Sequence, residues 1–163
     1  MNSILPMRRW SPSFKTLATV FLFTLAVAYG LSLVQVAVRT GTRPAETLRH
    51  YVGSEEEAPH LPQSFATMLS VAHVHTFSQP VVIGLTGLLF AFTGLKERQK
   101  ILWILVSFLG SLSSNAGPWL VRYVSPGAVG VLYAGGSAMF LGFLVMAGRV
   151  LWELWFQREV RDV

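Results

Sequence analysis

The sequence predicts an all-α integral membrane protein: an antiparallel bundle of four transmembrane helices with a short interfacial helix in its first external loop. Hydrophobic residues make up 52% of the 163 residues and charged residues only 13%, about half of the share in soluble domains. The hydrophobic residues also form four continuous runs, each reaching the roughly 20 residues that cross a bilayer. This composition excludes a disordered chain and argues against a soluble globule.

Each hydrophobic run predicts one helix of a single membrane domain that covers residues 1–163. The runs are continuous, whereas a membrane-spanning strand needs only about 10 residues of alternating polarity. Arg8 and Arg9 before the first run resemble the start of a signal peptide, but the run continues to Val38, past the roughly 7–15 residues usual for one. We therefore expect an uncleaved first helix. The predicted helices cover about residues 14–38, 68–95, 101–122 and 128–156.

The distribution of basic residues predicts the orientation of the bundle. Of the 13 Lys and Arg residues, nine lie in the N-terminal tail, the second loop and the C-terminal end, and four lie on the opposite side. The positive-inside rule then places both termini in the cytoplasm, and we expect a multi-pass protein of the bacterial inner membrane. The net charge of +5 therefore indicates membrane insertion and not nucleic-acid binding.

The first external loop, residues 39–63, predicts a short helix at the membrane surface. Thr42 is a suitable N-cap, Pro44 fits the first turn, and Gly53 would end the helix. The three glutamates at 55–57 are followed by two prolines, which predicts an exposed irregular stretch. A cation site at these glutamates is the alternative.

The other two loops are short, so the helices that they join should be antiparallel neighbours. Residues 96–100 form a basic second loop. Residues 123–127 contain Ser-Pro-Gly, which is typical of a tight turn. These connections predict that the third helix packs beside both the second and the fourth.

Small residues recur at every fourth position of the fourth helix. Gly130, Ala134, Ala138 and Gly142 form a stripe, and small residues let two helices approach closely in a bilayer. The stripe therefore predicts an interface. Its partner is either another helix of this chain or another subunit.

Polar side chains inside the predicted spans collect in the outer third of the bilayer. His73, His75 and Gln79 lie early in the second helix, and Asn115 and Arg122 lie late in the third. Polar groups are costly in a bilayer and often mark a functional site. Residues 75 and 79 share one helix face, whereas His73 lies about 200° around the helix from His75.

Four interpretations of the two histidines remain open. They could be structural, with each imidazole bonded to neighbouring polar groups. They could ligate haem b, whose iron prefers imidazole, although no other span contains a histidine. They could bond a quinol head group, or they could bind copper together with His50 or His60. The chain has no cysteine, so His73 and His75 are the strong candidate metal ligands inside the membrane.

The middle of the chain resembles a pattern in small uncharacterised bacterial four-helix inner-membrane proteins. The pattern has His-x-His early in the second helix and a short basic loop after it. The resemblance covers about Ser70 to Arg122 and implies no activity. The matching stretches are Ala72-His73-Val74-His75-Thr76-Phe77, Leu95-Lys96-Glu97-Arg98-Gln99-Lys100 and Ser113-Ser114-Asn115-Ala116-Gly117-Pro118-Trp119.

Together these features predict a haem- or quinol-contacting subunit that supports electron transfer in a membrane complex. The alternatives are a scaffold or assembly subunit that packs through the small-residue stripe, and copper binding by the two histidines. Expected partners are the lipid bilayer and either other membrane subunits or further copies of the chain. Whether the protein is itself an enzyme stays open. The expected cofactor-binding residues are His73, His75, Gln79, Asn115 and Arg122.

Overall fold

A computed structural model describes residues 6–54 and 61–156 of the chain. These residues form five α-helices and contain no β-strand, and four of the helices are long and apolar enough to cross a membrane. The predicted fold class, a membrane bundle with a short helix in the first loop, is confirmed. The helices are α1 (Pro12–Thr40), α2 (Pro44–Val52), α3 (Phe65–Ala91), α4 (Glu97–Tyr123) and α5 (Val129–Trp155).

The turn between α3 and α4 differs from the loop that the sequence predicts. α3 ends at Ala91, before the end of its hydrophobic run, and α4 begins at Glu97, so the predicted loop 96–100 is largely the first turn of α4. The Lys100 ammonium group donates to the carbonyl of Ala91 at 2.9 Å and so caps the end of α3. A basic side chain is favourable there because the last carbonyls of a helix have no partners within it.

The short helix α2 lies between two glycines with positive φ, Gly41 at 78° and Gly53 at 90°. Its N-cap is Arg43 and not Thr42. The Glu46 carboxylate accepts hydrogen bonds from the backbone N–H of Thr42 at 2.8 Å and of Arg43 at 3.0 Å. These bonds, led by the one from Arg43, lower the pKa of Glu46. The acidic stretch 55–57, with its suggested cation site, lies outside the described residues.

The closest packing in the bundle is between α4 and α5. Gly110 of α4 lies against the backbone of Gly135 and Met139 on α5, and Gly117 lies against Leu132. A Cβ added at Gly135 would come within 2.5 Å of the Ser114 backbone nitrogen. Small residues therefore bring these two antiparallel helices close enough for backbone contact, as is usual in membranes.

The helix α1 joins the bundle mainly through α5. Tyr29 stacks on Phe143 with ring centroids 4.5 Å apart, and the indole of Trp155 donates to the Thr19 hydroxyl at 3.0 Å. In contrast, residues 30–39 of α1 are all exposed. Only 11% of the most apolar part of α1 is buried, against 22% for each of the other spans. α1 is therefore the span most dependent on lipid.

The hydrophobic core lies toward one end of the bundle, which holds Met7, the α3–α4 turn and Trp155. We call it the termini end. The opposite end holds α2 and the α4–α5 turn, and we call it the α2 end. Met7 is completely buried among residues of the core, and Trp10 contacts Phe92 edge to face at 5.4 Å. The core's largest fully buried side chains are Phe90, Met7, Leu22, Met146, Leu154 and Val150, whereas Val121 is equally buried at the α2 end.

Candidate functional site

Four polar side chains form one hydrogen-bond network between α3 and α4. The Gln79 carbonyl oxygen accepts from the Ser111 hydroxyl at 2.7 Å and from the Asn115 amide nitrogen at 2.8 Å. The Gln79 amide nitrogen lies 3.3 Å from Nδ1 of His75. The structure thus brings together three of the expected site residues, His75, Gln79 and Asn115, and adds Ser111. We call these four residues the Gln79 network.

The spacing of the network's residues along α3 and α4 explains why they meet. His75 and Gln79 are four residues apart on α3, and Ser111 and Asn115 are four apart on α4, so each pair shares a face. Gln79 and Ser111 are close to the midpoints of their helices. At 1.5 Å per residue, His75 and Asn115 lie about 6 Å from them toward the α2 end. The network therefore lies nearer to the helix midpoints than the predicted helix bounds imply, because α3 covers Phe65–Ala91 and not residues 68–95.

The members of the Gln79 network differ in exposure: those on α4 and Gln79 are buried or half-buried, and His75 is exposed. Ser111 is 4% exposed, and Gln79 and Asn115 are half-buried. His75 is exposed. Its ring is thus held on one side by Gln79 and is open to the bilayer on the other.

The two remaining expected site residues, His73 and Arg122, lie apart from the network. His73 is exposed on α3 and makes no hydrogen bond with the part of the chain that the structure describes. Arg122 is seven residues beyond Asn115 on α4, about 10 Å along the axis. Its guanidinium lies 5.7 Å from the centre of the Tyr123 ring, and its buried Nε has no hydrogen-bond partner among the described residues.

Side chains of the kinds that bind metal ions are scattered over residues 6–54 and 61–156 and do not cluster. In these ranges no three His, Cys, Asp or Glu residues lie close enough together to hold one metal ion. His50 lies on α2, where it contacts the ring of Tyr51. Burial, and after it the charge of Arg39, lowers the pKa of His50. His60, the other suggested copper ligand, falls outside these ranges.

A family model described as a transmembrane helical domain matches residues 41–161 of the chain. The chain belongs to this family of transmembrane helical domains. No curated protein and no solved structure matches it. The matched segment begins directly after α1, so the family's domain comprises α2 to α5 and contains the whole Gln79 network.

A second polar cluster in the family's domain lies at the termini end, where no buried charge is expected from the sequence. Glu153 of α5 is 2% exposed. Both of its carboxylate oxygens lie 2.9 Å from the Gly94 backbone nitrogen, and one lies 2.7 Å from Nη2 of Arg149. This cluster ties the α3–α4 turn to α5. The four-residue spacing of Arg149 and Glu153 inside an apolar run is the signal that could have indicated it.

A third polar contact lies at the α2 end of the family's domain. The Thr47 hydroxyl of α2 is 2.8 Å from the Tyr133 hydroxyl of α5, and Thr47 is 2% exposed. Burial, and after it the proximity of Tyr133, raises the pKa of Tyr51 on the same short helix. α2 is therefore packed onto the bundle by one face and does not merely lie on a membrane surface.

The small-residue stripe of α5 divides between two environments. Gly142 is buried against Ser107 of α4, whereas Gly130 and Ala134 are exposed and Ala138 is half-buried. Ala134 and Ala138 instead line a shallow groove of about 400 Å³ between α4 and α5. The face of α5 that packs against α4 is a neighbouring one that includes Leu132, Gly135, Met139 and Gly142.

Proposed function

We propose that this membrane protein is a quinone- or quinol-contacting subunit that supports electron transfer in a larger complex of the bacterial inner membrane. The observation that carries the proposal is the exposed imidazole of His75, held from behind by the Gln79 network near the midpoint of α3. The half of the ring that faces the bilayer is the binding group. Gln79, Ser111 and Asn115 hold that group in position.

The cost of a polar group in lipid supports this assignment. Hydrocarbon offers no partner for a ring N–H or a ring nitrogen, so a polar group left unpaired there costs several kcal/mol. A quinone head group dissolves in the bilayer and carries oxygens that can pair with imidazole. It reaches His75 from the side, through lipid, and needs no aqueous channel.

The geometry gives haem and copper less support than it gives a quinone. A haem with two imidazole ligands needs histidines on opposed helices, and His73 and His75 are on one helix. They also lie about 200° apart around its axis. Arg122, one of the expected cofactor-binding residues, lies too far along α4 to act at His75.

A quinone-binding measurement tests the proposal directly. The protein in lipid nanodiscs is titrated with a short-chain quinone, and the affinity is compared between the wild type and His75→Phe. Loss of one hydrogen bond in a dry site lowers the affinity about fivefold to tenfold. His73→Phe is the matched control, because it removes an exposed histidine from the same helix, and it leaves the affinity unchanged.

Two outcomes of this titration contradict the proposal. One is a wild type that binds no quinone above the level of empty nanodiscs. The other is an equal loss of affinity in the His73 and His75 variants, which would indicate a general effect on α3.

A scaffold or assembly subunit is the second candidate, and the groove between α4 and α5 favours it. The groove is lined mainly by small and aliphatic residues and is open on the outside of the bundle. It therefore fits a helix of a second subunit. In this case the exposed part of the stripe, Ala134 and Ala138, is the functional surface. The Gln79 network then only holds α3 against α4.

The proposed orientation places the termini end in the cytoplasm. It rests on the excess of Lys and Arg at that end. The Gln79 network then lies between the bilayer centre and the outer surface, since His75 and Asn115 extend from the helix midpoints toward the α2 end.

A further inference from the structure

We infer that Gln79 fixes the tautomer of His75, so that the neutral ring presents an Nε2–H donor to the bilayer and selects a ligand by its acceptor oxygen. The site then prefers the carbonyl of an oxidised quinone to the hydroxyl of the reduced form, and Nε2 is unavailable to a metal. The tautomer follows from the geometry of the network alone, whereas the ligand preference rests on the proposed function.

The first step is the orientation of the Asn115 amide. One of its terminal atoms lies 2.9 Å from the backbone carbonyl oxygen of Ser111. A carbonyl oxygen only accepts, so the atom facing it must be the amide nitrogen, Nδ2. The hydrogen-bond partners thus identify which end of the amide is the nitrogen.

In the second step the orientation of Asn115 in turn fixes the orientation of the Gln79 amide on α3. The same Asn115 nitrogen lies 2.8 Å from one terminal atom of Gln79. An amide nitrogen only donates, so that atom of Gln79 must be its oxygen. The Ser111 hydroxyl, which can donate or accept, then donates to the same oxygen at 2.7 Å. Both acceptor positions of the Gln79 oxygen are occupied from α4.

The third step fixes the ring of His75. With its oxygen turned to α4, Gln79 presents its amide nitrogen to Nδ1 of His75 at 3.3 Å. The amide nitrogen donates, so Nδ1 holds the lone pair. A neutral imidazole carries one proton, and that proton is therefore on Nε2. Because the ring is exposed, this Nε2–H is the group that a ligand in the bilayer meets.

The proton on Nε2 of His75 determines which ligands the ring can bind. A metal-bound histidine uses one ring nitrogen as ligand and donates the N–H of the other to an acceptor. At His75 the inner nitrogen faces a donor, which is the reverse arrangement. An Nε2–H donor satisfies a quinone carbonyl, which is an acceptor only. A quinol hydroxyl oxygen can also accept from Nε2–H, but its own O–H finds no acceptor there and is costly to leave unpaired in hydrocarbon. In this chain of hydrogen bonds Gln79 and Asn115 are positioning residues, because they orient the His75 ring and do not touch the ligand.

The first experiment measures the tautomer without any ligand. Histidine labelled with 15N shows separate pyrrole-type and pyridine-type resonances at alkaline pH, and the His75 signals are assigned by their absence in His75→Asn. We expect Nε2 to be the protonated nitrogen in the wild type. In Gln79→Glu the carboxylate still accepts from Ser111 and Asn115 but now also accepts from the ring. The proton therefore moves to Nδ1 in most molecules.

Gln99→Glu is the control for the 15N experiment. It makes the same chemical change at an exposed position at the termini end and leaves the His75 signals unchanged. A wild type protonated on Nδ1, or a Gln79→Glu variant that keeps its proton on Nε2, overturns the inference. If Gln79→Glu does not fold, Asn115→Asp replaces it, because loss of the Asn115 donor frees the Gln79 amide to turn and mixes the two tautomers. An unchanged single tautomer in that variant also overturns the inference.

The second experiment compares the oxidised and reduced forms of one short-chain quinone in nanodiscs. We expect the wild type to bind the oxidised form about fivefold more tightly, and Gln79→Glu, whose Nε2 then accepts a hydrogen bond, to prefer the reduced form. Equal affinity of both forms in the wild type overturns the ligand preference. Absence of any binding refutes the proposed function and leaves the 15N result to decide the tautomer.

Discussion

Gln79 and Glu153, both within the spans, each connect two separate parts of the bundle by hydrogen bonds. Gln79 connects α3 to α4 near their midpoints, and Glu153 connects α5 to the α3–α4 turn at the termini end. A satisfied polar group in a low-dielectric environment holds its partners in one geometry, whereas a half-satisfied one is costly. Single substitutions at these positions should therefore have larger effects than at exposed polar positions.

The substitution Glu153→Gln should lower the free energy of unfolding by about 2 kcal/mol. It removes the ion pair with Arg149 and leaves that guanidinium, whose side chain is 32% exposed, without a carboxylate. Partial exposure of Arg149 limits the loss below that of a fully buried pair. Unfolding of the purified protein in mixed micelles by increasing denaturing detergent measures the difference.

Glu97→Gln is the matched control for this change. The Glu97 carboxylate also pairs with a basic side chain, Lys100 at 2.9 Å, but the Glu97 side chain is 78% exposed. An exposed pair contributes little, so the change should stay within about 0.5 kcal/mol. Equal losses in the two variants would show that burial does not distinguish the two pairs.

Among the elements, α4 and α5 form the closely packed pair against which the others pack. Their contact depends on glycines at heptad-like intervals on each helix, Gly110 and Gly117 on α4 and Gly135 and Gly142 on α5. Because α4 also carries Ser111 and Asn115, this contact sets the position of half of the Gln79 network. A change that separates α4 from α5 should also disturb His75.

Substitutions at two adjacent residues of α5 distinguish packing within the chain from packing against a partner subunit. Gly135→Ala places a Cβ against the backbone of α4 and should lower the free energy of unfolding by about 1–3 kcal/mol. Ala134→Leu fills the groove without entering that contact and should change it by less than about 0.5 kcal/mol. Detergent-induced unfolding and native mass spectrometry measure stability and complex size.

If the second candidate function is right, Ala134→Leu also releases the partner subunit. Gly148→Ala is the control for the glycine substitution, since nothing lies within 4 Å of an added Cβ at that position. It should be neutral or slightly stabilising, because alanine is the better helix former. A Gly135→Ala variant as stable as Gly148→Ala would contradict the close α4–α5 contact.

For the molecule as a whole, the orientation in the membrane can be measured with single cysteines, because the chain has none of its own. Val124→Cys lies at the exposed α4–α5 turn of the α2 end, and Gln99→Cys lies at the termini end. In intact cells a membrane-impermeant maleimide should label Val124→Cys only. Gln99→Cys should react after the membrane is permeabilised. The reverse pattern would refute cytoplasmic termini.

Run length and composition were enough to predict the four spans, because crossing a bilayer imposes a minimum length on each apolar segment. Helical spacing also predicted that His75 and Gln79 share a face. The pairing of Gln79 with Ser111 and Asn115 depends on how α3 is rotated against α4, which spacing within one helix does not specify. The burial of Glu153 was missed because a charge near a helix end is normally expected at the membrane surface.

The loose attachment of α1 has a consequence for membranes of different thickness. With 29 residues, α1 is about 44 Å long, well above the roughly 30 Å of bilayer hydrocarbon, so it must tilt or extend into the interface. Its residues 30–39 are exposed and Gly41 follows the last residue of α1, Thr40, so a change in tilt can be absorbed there. A thinner or thicker bilayer should therefore change the angle of α1 and leave the geometry around His75 intact.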